Sequence, residues 1–528
     1  MSSVSSADLY LGFDCGTQSF SATVIEADDE QRRVVFSHAL NFDRELPDYQ
    51  TAAGVWRDTD PREVSSSPLM WAEALDRLLA IVAAAPEVDV TRIRAISGSA
   101  QQHGSVYLRS AWPDTLARLT PSDALAPQLT AVFSRAASPI WMDESTTAQC
   151  RAIEAALGGA DAVRRLTGSR AYERFTGPQI RRFFETKPEA YAQTSRIHLV
   201  SSYLASLLTG SDAPIDTGDG SGMTLVNLAH GRWSADALSA TAPDLAARLP
   251  ALVPSSTAVG PLSTYWQQRY GFPPATVIAW TGDNPSSLIG TGTVCDDRLA
   301  VSLGTSDTIF AHTPDAGSDA THTFGAPMGG YMALVCFRNG SLARERVRDR
   351  HGLDWFGFAQ ALERTPPGND GAMLLPWFEP EITPHVAVPR VHLTGLDDRD
   401  SARHVRAVVE GQMMAMANHS QAICRGRRHI IATGGGSANR AILQVMADVF
   451  DADVFTLPVT NTACLGAALR ALHFDRSTSS RPLSWPDAVA GFTDSSHAAS
   501  PIPANVDVYR RARERYAAFE MQALSAAG

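Results

Sequence analysis

Residues 9–26 constrain the fold more than any other part of the chain. Their letters, LYLGFDCGTQSFSATVIE, predict an apolar strand, a tight turn and a second strand in which apolar and polar residues alternate. Gly16 allows the backbone of the turn to approach a ligand closely, and Thr17, Gln18 and Ser19 offer donors suited to phosphate oxygens. We interpret this hairpin as a phosphate-binding element.

Two further glycine-containing turns strengthen that interpretation. Residues 298–312, RLAVSLGTSDTIFAH, predict a second hairpin with Gly304 and Thr305 at its turn. Residues 430–439, IIATGGGSAN, predict an apolar strand that runs into three glycines and then a helix over 440–450. Two phosphate-type hairpins and a glycine-rich strand-to-helix turn suggest two halves that close on one nucleotide.

Two aspartates are candidates for the chemistry. Asp14 ends the first strand and would supply a hard oxygen ligand for magnesium. Asp283 follows a predicted strand over 276–280, and Asn284 and Pro285 resemble the N-cap and first residue of a helix. Because a helix N-terminus stabilises a carboxylate, this position predicts that Asp283 stays ionised with a low pKa. The alternative is a carboxylate that only caps the helix.

Composition excludes several classes of function. The only lysine is Lys187, so the G-x-x-x-x-G-K-[ST] motif of P-loop enzymes is absent, and a protein-kinase or Schiff-base lysine is disfavoured. No G-x-G-x-x-G follows the first strand, which disfavours a dinucleotide-binding domain. A net charge of −11 argues against a nucleic-acid partner. With neither a signal-like N-terminus nor a long apolar run, we expect a cytoplasmic protein without a membrane partner.

The chain is long enough for two domains, which we place at 1–292 and 293–528. The spacing of apolar residues predicts helices over 71–85, 147–157, 196–208, 402–425 and 508–524 and a strand over 93–97. Residues 475–504 are rich in Ser, Pro and Ala and predict a surface excursion. The six cysteines lack C-x-x-C spacing and predict free buried thiols: Cys15, Cys150, Cys295, Cys336, Cys424 and Cys464.

Longer segments between residues 8 and 474 resemble the FGGY carbohydrate kinases, and within them the xylulose kinases of the animal type. The segments include LGFDCGTQS, GSAQQHGSVYL, LTGSRAYERFTGPQI, DGSGMTLVNL, TGDNPSSL, VSLGTSDTIF and ATGGGSANRAILQVMADVFDA. The resemblance implies an α/β protein with the two-domain actin–Hsp70–sugar kinase fold, which is ribonuclease H-like, and an interdomain cleft. It also implies ATP-dependent phosphorylation of D-xylulose to D-xylulose 5-phosphate, with Mg²⁺ as cofactor.

The same resemblance assigns roles to individual residues. Asp283 corresponds to the base that accepts the proton of the attacking sugar hydroxyl, and Asp14 to the carboxylate near magnesium. The sugar-binding positions are His103, Arg170, Asp283 and Asn284. The ATP-binding positions are Gly16, Thr17, Gln18, Ser19, Gly304, Thr305, Trp355, Gly435 and Asn439. Arg170 could equally be a structural ion-pair partner of Glu173 or of another carboxylate.

Two alternatives remain open at the level of sequence. The protein could phosphorylate ribulose, another ketopentose or a polyol, because one hydroxyl's stereochemistry is read by side chains whose positions spacing does not reveal. It could also be a sugar-sensing binding protein without catalysis, although Asp14, Asp283 and both Gly-Thr turns argue against that. A chaperone or actin-like ATPase leaves the sugar-site segments unexplained. We expect sugar and ATP as partners, and a monomer or homodimer.

Overall fold

The computed structural model describes residues 7–28, 31–316, 322–459, 461–477 and 482–526. Residues 1–6 of the N-terminal segment and residues 478–481 of the predicted surface excursion lie outside the described residues. The chain forms two compact units. The first comprises Met1–Gly292, Thr323–Tyr331 and Asn461–Phe492, and the second Thr293–His322, Met332–Thr460 and Thr493–Gly528. The units are therefore discontinuous in sequence, and a domain boundary between residues 292 and 293 stays a prediction.

The strands of the described residues are short to medium in length. In chain order they are β1 Asp8–Cys15, β2 Ser19–Ala27, β3 Arg32–Asn41, β4 Trp56–Arg57, β5 Val64–Ser66, β6 Ile93–Ala100, β7 Ser105–Leu108, β8 Phe133–Arg135, β9 Ser138–Pro139, β10 Arg196–Leu199, β11 Ile215–Asp216, β12 Val226–Asn227, β13 Arg232–Trp233, β14 Leu252–Val253, β15 Ala258–Pro261, β16 Thr276–Ile278, β17 Thr281–Gly282, β18 Arg298–Leu303, β19 Asp307–Thr313, β20 His322–Gly325, β21 Tyr331–Phe337, β22 Met373–Leu375, β23 His392–Thr394, β24 His429–Thr433, β25 Asp453–Thr456 and β26 Ser496–Ala499.

The helices range from single turns to the long C-terminal helix. In chain order they are α1 Phe42–Glu45, α2 Pro68–Ala84, α3 Trp112–Ala117, α4 Leu125–Gln128, α5 Thr147–Ala156, α6 Ala160–Thr167, α7 Thr176–Thr186, α8 Pro188–Ala192, α9 Val200–Thr209, α10 Thr217–Gly220, α11 Ala235–Thr241, α12 Leu245–Arg248, α13 Thr264–Tyr270, α14 Asp283–Gly290, α15 Ser341–Arg350, α16 Trp355–Arg364, α17 Ser401–His419, α18 Gln421–Cys424, α19 Arg440–Phe450, α20 Thr462–Ser477, α21 Trp485–Val489 and α22 Pro503–Ser525.

Each unit is built around one large mixed sheet. The sheet of the first unit has the order β15-β16-β6-β1-β2-β3, with β17 also paired to β6. Its strands β1, β16 and β17 run parallel to β6. Within the second unit, the strands of the sheet follow the order β21-β19-β18-β24-β25-β26, in which β18, β24 and β25 are parallel. Each unit also has its own hydrophobic core of buried side chains.

The most periodic predicted elements are confirmed and the ambiguous ones are corrected. The predicted helix at 71–85 is α2, whose N-cap Ser67 accepts a hydrogen bond from Met70 N–H at 3.3 Å. The prediction of one helix over 196–208 is wrong in its first four residues. These form β10, which pairs with β7, because a short apolar run fits a strand as well as a helix. The predicted excursion at 475–504 contains β26, which forms the edge of the second sheet.

Two other predicted features differ in detail. The helix predicted over 402–425 is interrupted at Ser420, between α17 and α18. All six cysteines are thiols outside any disulfide, as predicted, but Cys295, Cys336 and Cys424 are only partly buried. Among the described residues, every helix is too short or too polar to cross a membrane.

Glycines allow α20 to pack closely on the first sheet and on α14. A Cβ added at Gly12 in β1 would overlap the backbone of α20 at Cys464 and Ala468. A Cβ at Gly466 in α20 would likewise overlap the carbonyl of Ser286 in α14, whose hydroxyl donates to the Ala463 carbonyl at 2.7 Å. This packing brings the start of α20 to the ends of the central strands.

We predict that Gly466→Ala destabilises the protein. In an ordinary helix interior, replacing glycine by alanine raises the free energy of unfolding by about 0.5–1 kcal/mol. Overpacking against the backbone costs about 1–3 kcal/mol or more, so the net effect at Gly466 is a loss of stability. The matched control is Gly357→Ala in α16, where the nearest atom to an added Cβ is a side-chain oxygen 3.2 Å away. Chemical denaturation of both variants measures the difference. Equal stability of the two would contradict the packing argument.

Candidate functional site

The sheet register of the first unit gathers three chain segments at one edge. Asp14 is in register with Ser99 across the parallel pair of β1 and β6, and Ser99 is in register with Thr281 of β17. All three strands therefore end at the same edge. The residues that follow β6 include Gln102, and the residue that follows β17 is Asp283. The carboxyl edge of a parallel sheet is where α/β proteins commonly bind ligands.

Asp14 is held at this edge by two side chains that sequence reasoning missed. Its Oδ1 accepts a hydrogen bond from Ser99 Oγ at 2.8 Å, and its Oδ2 accepts one from Asn461 Nδ2 at 3.2 Å. Asn461 in turn accepts at Oδ1 from the backbone N–H of Cys464, which ties it to the first turn of α20. Burial raises the pKa of Asp14, and the two hydrogen bonds oppose that rise. No local sequence signal links Asn461 to Asp14, because the pairing spans almost the whole chain.

Asp283 is the first residue of α14, and Gly282 is the N-cap. The prediction that Asn284 and Pro285 begin the helix is therefore wrong by two residues. The predicted low pKa is also wrong, because burial, together with the negative charge of Asp14, raises the pKa of Asp283 to about 7. The Asn284 N–H, which donates to Asp283 Oδ1 at 2.8 Å, opposes this rise without overcoming it. A carboxyl with such a pKa can exchange a proton near neutral pH.

Asn284 connects Asp283 to Gln102. Its Nδ2 donates to Asp283 Oδ1 at 3.0 Å and to Gln102 Oε1 at 2.9 Å. A Cβ at Gly282 would overlap the Gln102 side chain, so glycine is needed where β17 meets the segment after β6. The three polar side chains form one hydrogen-bonded row. Its member Gln102 was not among the sequence-predicted site residues.

His103 is buried in an unusual backbone conformation, with φ 72°. Its Nδ1 lies 2.9 Å from the carbonyl oxygen of Gly222. Burial, together with the positive charge of Arg174, lowers the pKa of His103 to about 3, so the ring is neutral near pH 7. Nδ1 therefore carries the proton and donates a hydrogen bond to the Gly222 carbonyl, which leaves Nε2 as an acceptor. The ring stacks on Phe175 with centroids 4.3 Å apart.

Arg170 belongs to the same region through aromatic contacts. Its guanidinium lies 4.8 Å from the ring centroid of Tyr172, and Tyr172 packs against Phe175 at 5.4 Å. A series of contacts therefore connects Arg170 to His103 through the rings of Tyr172 and Phe175. Within the described part of the chain, Arg170 forms no ion pair with Glu173, but its positive charge opposes the rise that burial causes in the pKa of Glu154. A structural role beside that second carboxylate therefore stays open.

The first predicted phosphate turn is a tight hairpin that is closed by an internal backbone hydrogen bond. The Gly16 N–H donates to the Ser19 carbonyl at 3.0 Å and closes the turn, while Gln18 is exposed. Thr17 Oγ1 accepts from Trp141 Nε1 at 2.8 Å and donates to Gln101 Oε1 at 3.3 Å. Trp141 and Gln101 thus position the turn, although neither was predicted as a site residue.

In the second unit, a buried ion pair lies next to the Gly304 turn and stabilises the start of β19. Arg344 donates to both oxygens of Asp307, the first residue of β19, at 2.7 and 3.0 Å. Thr305 lies in the turn, and the Ser341 N–H donates to the Gly304 carbonyl at 2.8 Å. A Cβ at Gly340 would lie 2.7 Å from the carbonyl oxygens of Gly304 and Thr305.

The glycine-rich turn after β24 lies at the same edge of the second sheet. Ser302 near the end of β18 is in register with Thr433 at the end of β24, so the two glycine turns are neighbours. An added Cβ at Gly435 would meet no atom within 4 Å, which leaves open space above this backbone. Asn439 is the N-cap of α19 and accepts from the N–H of Ala441 at 3.0 Å and of Ile442 at 3.3 Å.

Trp355 is not brought to these turns by any described contact. It begins α16, is 43% exposed, and its ring lies 4.4 Å from the guanidinium carbon of Arg348. In the described ranges, no hydrogen bond or ring contact joins it to Gly304, Gly435 or Asn439. Its predicted role at the nucleotide stays a prediction.

Comparison with known families decides the classification. The N-terminal domain of the FGGY family of carbohydrate kinases matches residues 135–290, and the C-terminal domain of that family matches residues 299–474. This chain belongs to the FGGY family. Membership makes it a carbohydrate kinase and implies that it uses ATP.

Relatives of this FGGY kinase extend over nearly the whole chain. The xylulose kinase of Rattus norvegicus is 43% identical over 98% of this chain and 97% of the rat protein. Xylulose kinase 2 of Arabidopsis thaliana is 41% identical over 88% of this chain and 87% of its own. A solved structure of ligand-bound xylulose kinase from Lactobacillus acidophilus has a TM-score of 0.81 at 20% identity, covering 98% of both chains, and shares the fold. The predicted two-domain α/β FGGY fold is confirmed.

We predict that Asp283→Asn stabilises this FGGY kinase increasingly as pH rises from 4 to 7. Because the folded-state pKa of Asp283 is raised, the folded protein binds more protons there than the unfolded chain within this window, and wild-type stability falls as pH rises. Raising a carboxyl pKa from 3.8 to about 7 corresponds to at most about 4 kcal/mol, complete above pH 7. Urea unfolding across this pH range measures the effect.

The matched control for this measurement is Asp236→Asn, which removes an exposed carboxylate from the first turn of α11. The difference between control and wild type should depend little on pH. If Asp283→Asn tracks the control across the window, Asp283 has an ordinary pKa and the electrostatic description of the site is wrong.

Proposed function

We propose that this protein transfers the γ-phosphate of ATP to D-xylulose and releases D-xylulose 5-phosphate and ADP. The observation that carries the proposal is the group of Asp14, Gln102, His103 and Asp283 at the carboxyl edge of three parallel strands. The full-length likeness to xylulose kinases supports this substrate.

The sugar would be bound by groups that accept and donate in fixed directions. His103 offers a neutral Nε2 to a sugar hydroxyl, since its Nδ1–H is engaged by the Gly222 carbonyl. Asn284 and Arg170 would supply donors to other oxygens. Fixed polar groups discriminate strongly between sugars, because a wrong hydroxyl leaves a buried group unpaired.

Asp283 would act as the general base on the attacking hydroxyl, at the 5-position of the sugar. Its raised pKa makes it a better proton acceptor than an ordinary carboxylate, yet leaves a substantial ionised fraction near neutral pH. In phosphoryl transfer the transition state is loose, so the base accepts the proton late. Such a base contributes about a hundredfold to ten-thousandfold in rate.

Asp14 fits the requirements of a magnesium site that is completed by nucleotide phosphates. Among the described residues, no cluster of three or more His, Cys, Asp or Glu is arranged to hold a metal by protein ligands alone. Mg²⁺ commonly takes one or two carboxylates and keeps several waters, and each Asp14 oxygen is left with unused acceptor capacity. When bound with ATP, Mg²⁺ would neutralise charge on the phosphate oxygens. Asp14 would hold the ion through a bound water molecule.

ATP would be bound chiefly by backbone groups. In the second unit, the turn at Gly304 and Thr305 and the open backbone at Gly435 offer N–H groups and room for a nucleotide. In the first unit, the turn formed by Gly16 and Thr17, with the neighbouring Gln18 and Ser19, would lie against the phosphate oxygens. Asn439 would contribute by fixing the start of α19, and Trp355 would lie against the adenine.

We also propose a cytoplasmic enzyme that acts as a monomer or homodimer. The two alternatives left open by the sequence remain outcomes of the test below. They are a kinase for another ketose or polyol, and a sugar-binding protein without catalysis.

The proposal is tested by ADP release from purified protein with Mg-ATP and a panel of sugars. The panel comprises D-xylulose, L-xylulose, D-ribulose, L-ribulose, D-fructose and glycerol. We expect turnover with D-xylulose far above the others, and a loss of about a hundredfold or more in kcat for Asp283→Asn. Asp236→Asn, the exposed control, should retain wild-type turnover.

Each result separates the alternatives. Preference for another sugar would keep the kinase and replace its substrate. Binding of ATP and sugar without turnover would support the sugar-sensing alternative. Full activity of Asp283→Asn would contradict the role of Asp283 as base.

We predict that Gly435→Ala weakens ATP use without affecting the sugar. The added methyl group meets no protein atom within 4 Å, so the fold should tolerate it, but it would occupy space proposed for the nucleotide. The KM for ATP should rise several-fold while the KM for D-xylulose and the urea midpoint stay unchanged. Gly357→Ala in the same unit is the control, and an unchanged KM for ATP would contradict the placement.

A further inference from the structure

Apart from the site formed by Asp14, Gln102, His103 and Asp283, the first unit contains a cavity of about 350 Å³. Buried Asp143, Gln179 and Phe183 line its inner part, and exposed Lys187 stands at its rim. Pockets that bind small molecules have volumes of about 300–1,000 Å³. The cavity is therefore large enough for a small metabolite.

Two cations face this cavity without a carboxylate partner among the described residues. They are Arg135 and Lys187, the only lysine of the chain. The guanidinium carbon of Arg135 lies beside two packed aromatic rings, 5.2 Å from the centroid of Tyr107 and 5.1 Å from that of Phe183. These ring contacts restrict the side chain, which reduces the entropy that it loses when it binds an anion.

The other charged groups of the lining are engaged within the protein. Arg182 forms an ion pair with Glu63. Asp143 accepts hydrogen bonds from the Val64 N–H at 3.3 Å and from Gln179 Nε2 at 2.8 Å. Exposed Asp58 accepts from the N–H of the next residue at 2.6 Å. The lining holds as many carboxylates as cations, but Arg135 and Lys187 form no ion pair among the described residues, so both can pair with an anionic group of a ligand.

Gln179 indicates a second property of the ligand. Its Nε2 donates to Asp143 and to the Glu173 carbonyl at 3.2 Å, but its Oε1 has no hydrogen-bond partner among the described residues. The side chain is 1% exposed, and a buried acceptor without a donor costs about 1–3 kcal/mol. A ligand hydroxyl would supply the missing donor.

We propose that this cavity binds a small phosphorylated polyhydroxy compound, such as a sugar phosphate. Its phosphate would pair with Arg135 and Lys187 in charge-assisted hydrogen bonds, and a hydroxyl would donate to Gln179. This site is separate from the residues that are proposed to bind the sugar substrate and ATP.

The helix α7 links the cavity to His103. Gln179, Arg182 and Phe183 of this helix line the cavity. At the other end of α7, Thr176 Oγ1 donates to the His103 carbonyl at 3.0 Å, and the preceding Phe175 stacks on the His103 ring. A ligand that pushes or holds α7 therefore alters the position of His103, and the site is regulatory for sugar binding.

Calorimetric titration of the full-length protein tests the proposal, with ribose 5-phosphate as the probe. Inorganic phosphate alone measures the contribution of the charge to binding, and D-ribose alone measures the contribution of the hydroxyl groups. We expect saturable binding of ribose 5-phosphate, weaker binding of phosphate and none of D-ribose. Lys187→Gln should weaken the binding about tenfold by removing a charge-assisted hydrogen bond. Arg118→Gln, at an exposed arginine outside the lining, should leave it unchanged.

A second variant keeps the test independent of Lys187. Ala190→Leu, in α8 at the cavity wall, reduces the volume while keeping every charge, and should abolish binding. Equal binding by wild type, Lys187→Gln and Ala190→Leu, or no binding of ribose 5-phosphate at millimolar concentration, would overturn the site. Binding of inorganic phosphate as tight as that of ribose 5-phosphate would overturn the role of Gln179.

The link to His103 is tested by the affinity for D-xylulose in the absence of ATP. A saturating concentration of ribose 5-phosphate should shift that affinity about fivefold or more in wild type and leave it unchanged in Ala190→Leu. An unchanged affinity in wild type would overturn the link. Because D-xylulose is first titrated alone, failure of the proposed substrate is seen separately from failure of the cavity site.

Discussion

The parallel pairing of β1 and β17 with β6 is the constraint on which the candidate site depends. Asp14, Ser99 and Thr281 stand in one register row, so the segments that follow the strands are forced to one edge. Glycines make this arrangement possible where backbones or side chains approach closely, at Gly12 beneath α20 and at Gly282 beside Gln102. The second sheet repeats the arrangement, with β18 and β24 presenting two glycine turns at one edge.

Electrostatics at the first edge follow from bringing two carboxylates together away from solvent. Burial and the charge of Asp14 outweigh the helix N-terminus at Asp283, so its pKa rises to about 7. The helix contributes only the N–H groups of its first turn, whereas desolvation acts on the whole carboxylate. At His103, burial has the opposite effect, since it disfavours the charged imidazolium and leaves a neutral ring. Burial thus makes Asp283 a proton acceptor near neutral pH and His103 a neutral hydrogen-bond acceptor.

The sequence predicts much of the fold but little of the site's supporting contacts. The hairpin of β1 and β2 and the strand-to-helix turn before α19 are visible because local apolar patterning and glycines specify them. The pairing of Asn461 with Asp14, the row from Gln102 to Asp283 and the contact of Trp141 with Thr17 join distant segments, and spacing carries no signal for them. The pKa of Asp283 was mispredicted for the same reason, since burial is a tertiary property. The β10 strand shows that a short apolar run leaves helix and strand undecided.

The group of Asp14, Gln102, His103 and Asp283 in the first unit is proposed to bind and activate the sugar. A crystal structure of Asp283→Asn with D-xylulose bound tests it most directly. We expect the 5-hydroxyl to lie within hydrogen-bond distance, about 3 Å, of the residue 283 side chain, and another hydroxyl to donate to His103 Nε2. A sugar bound elsewhere, or one whose 5-hydroxyl points away from residue 283, would contradict it.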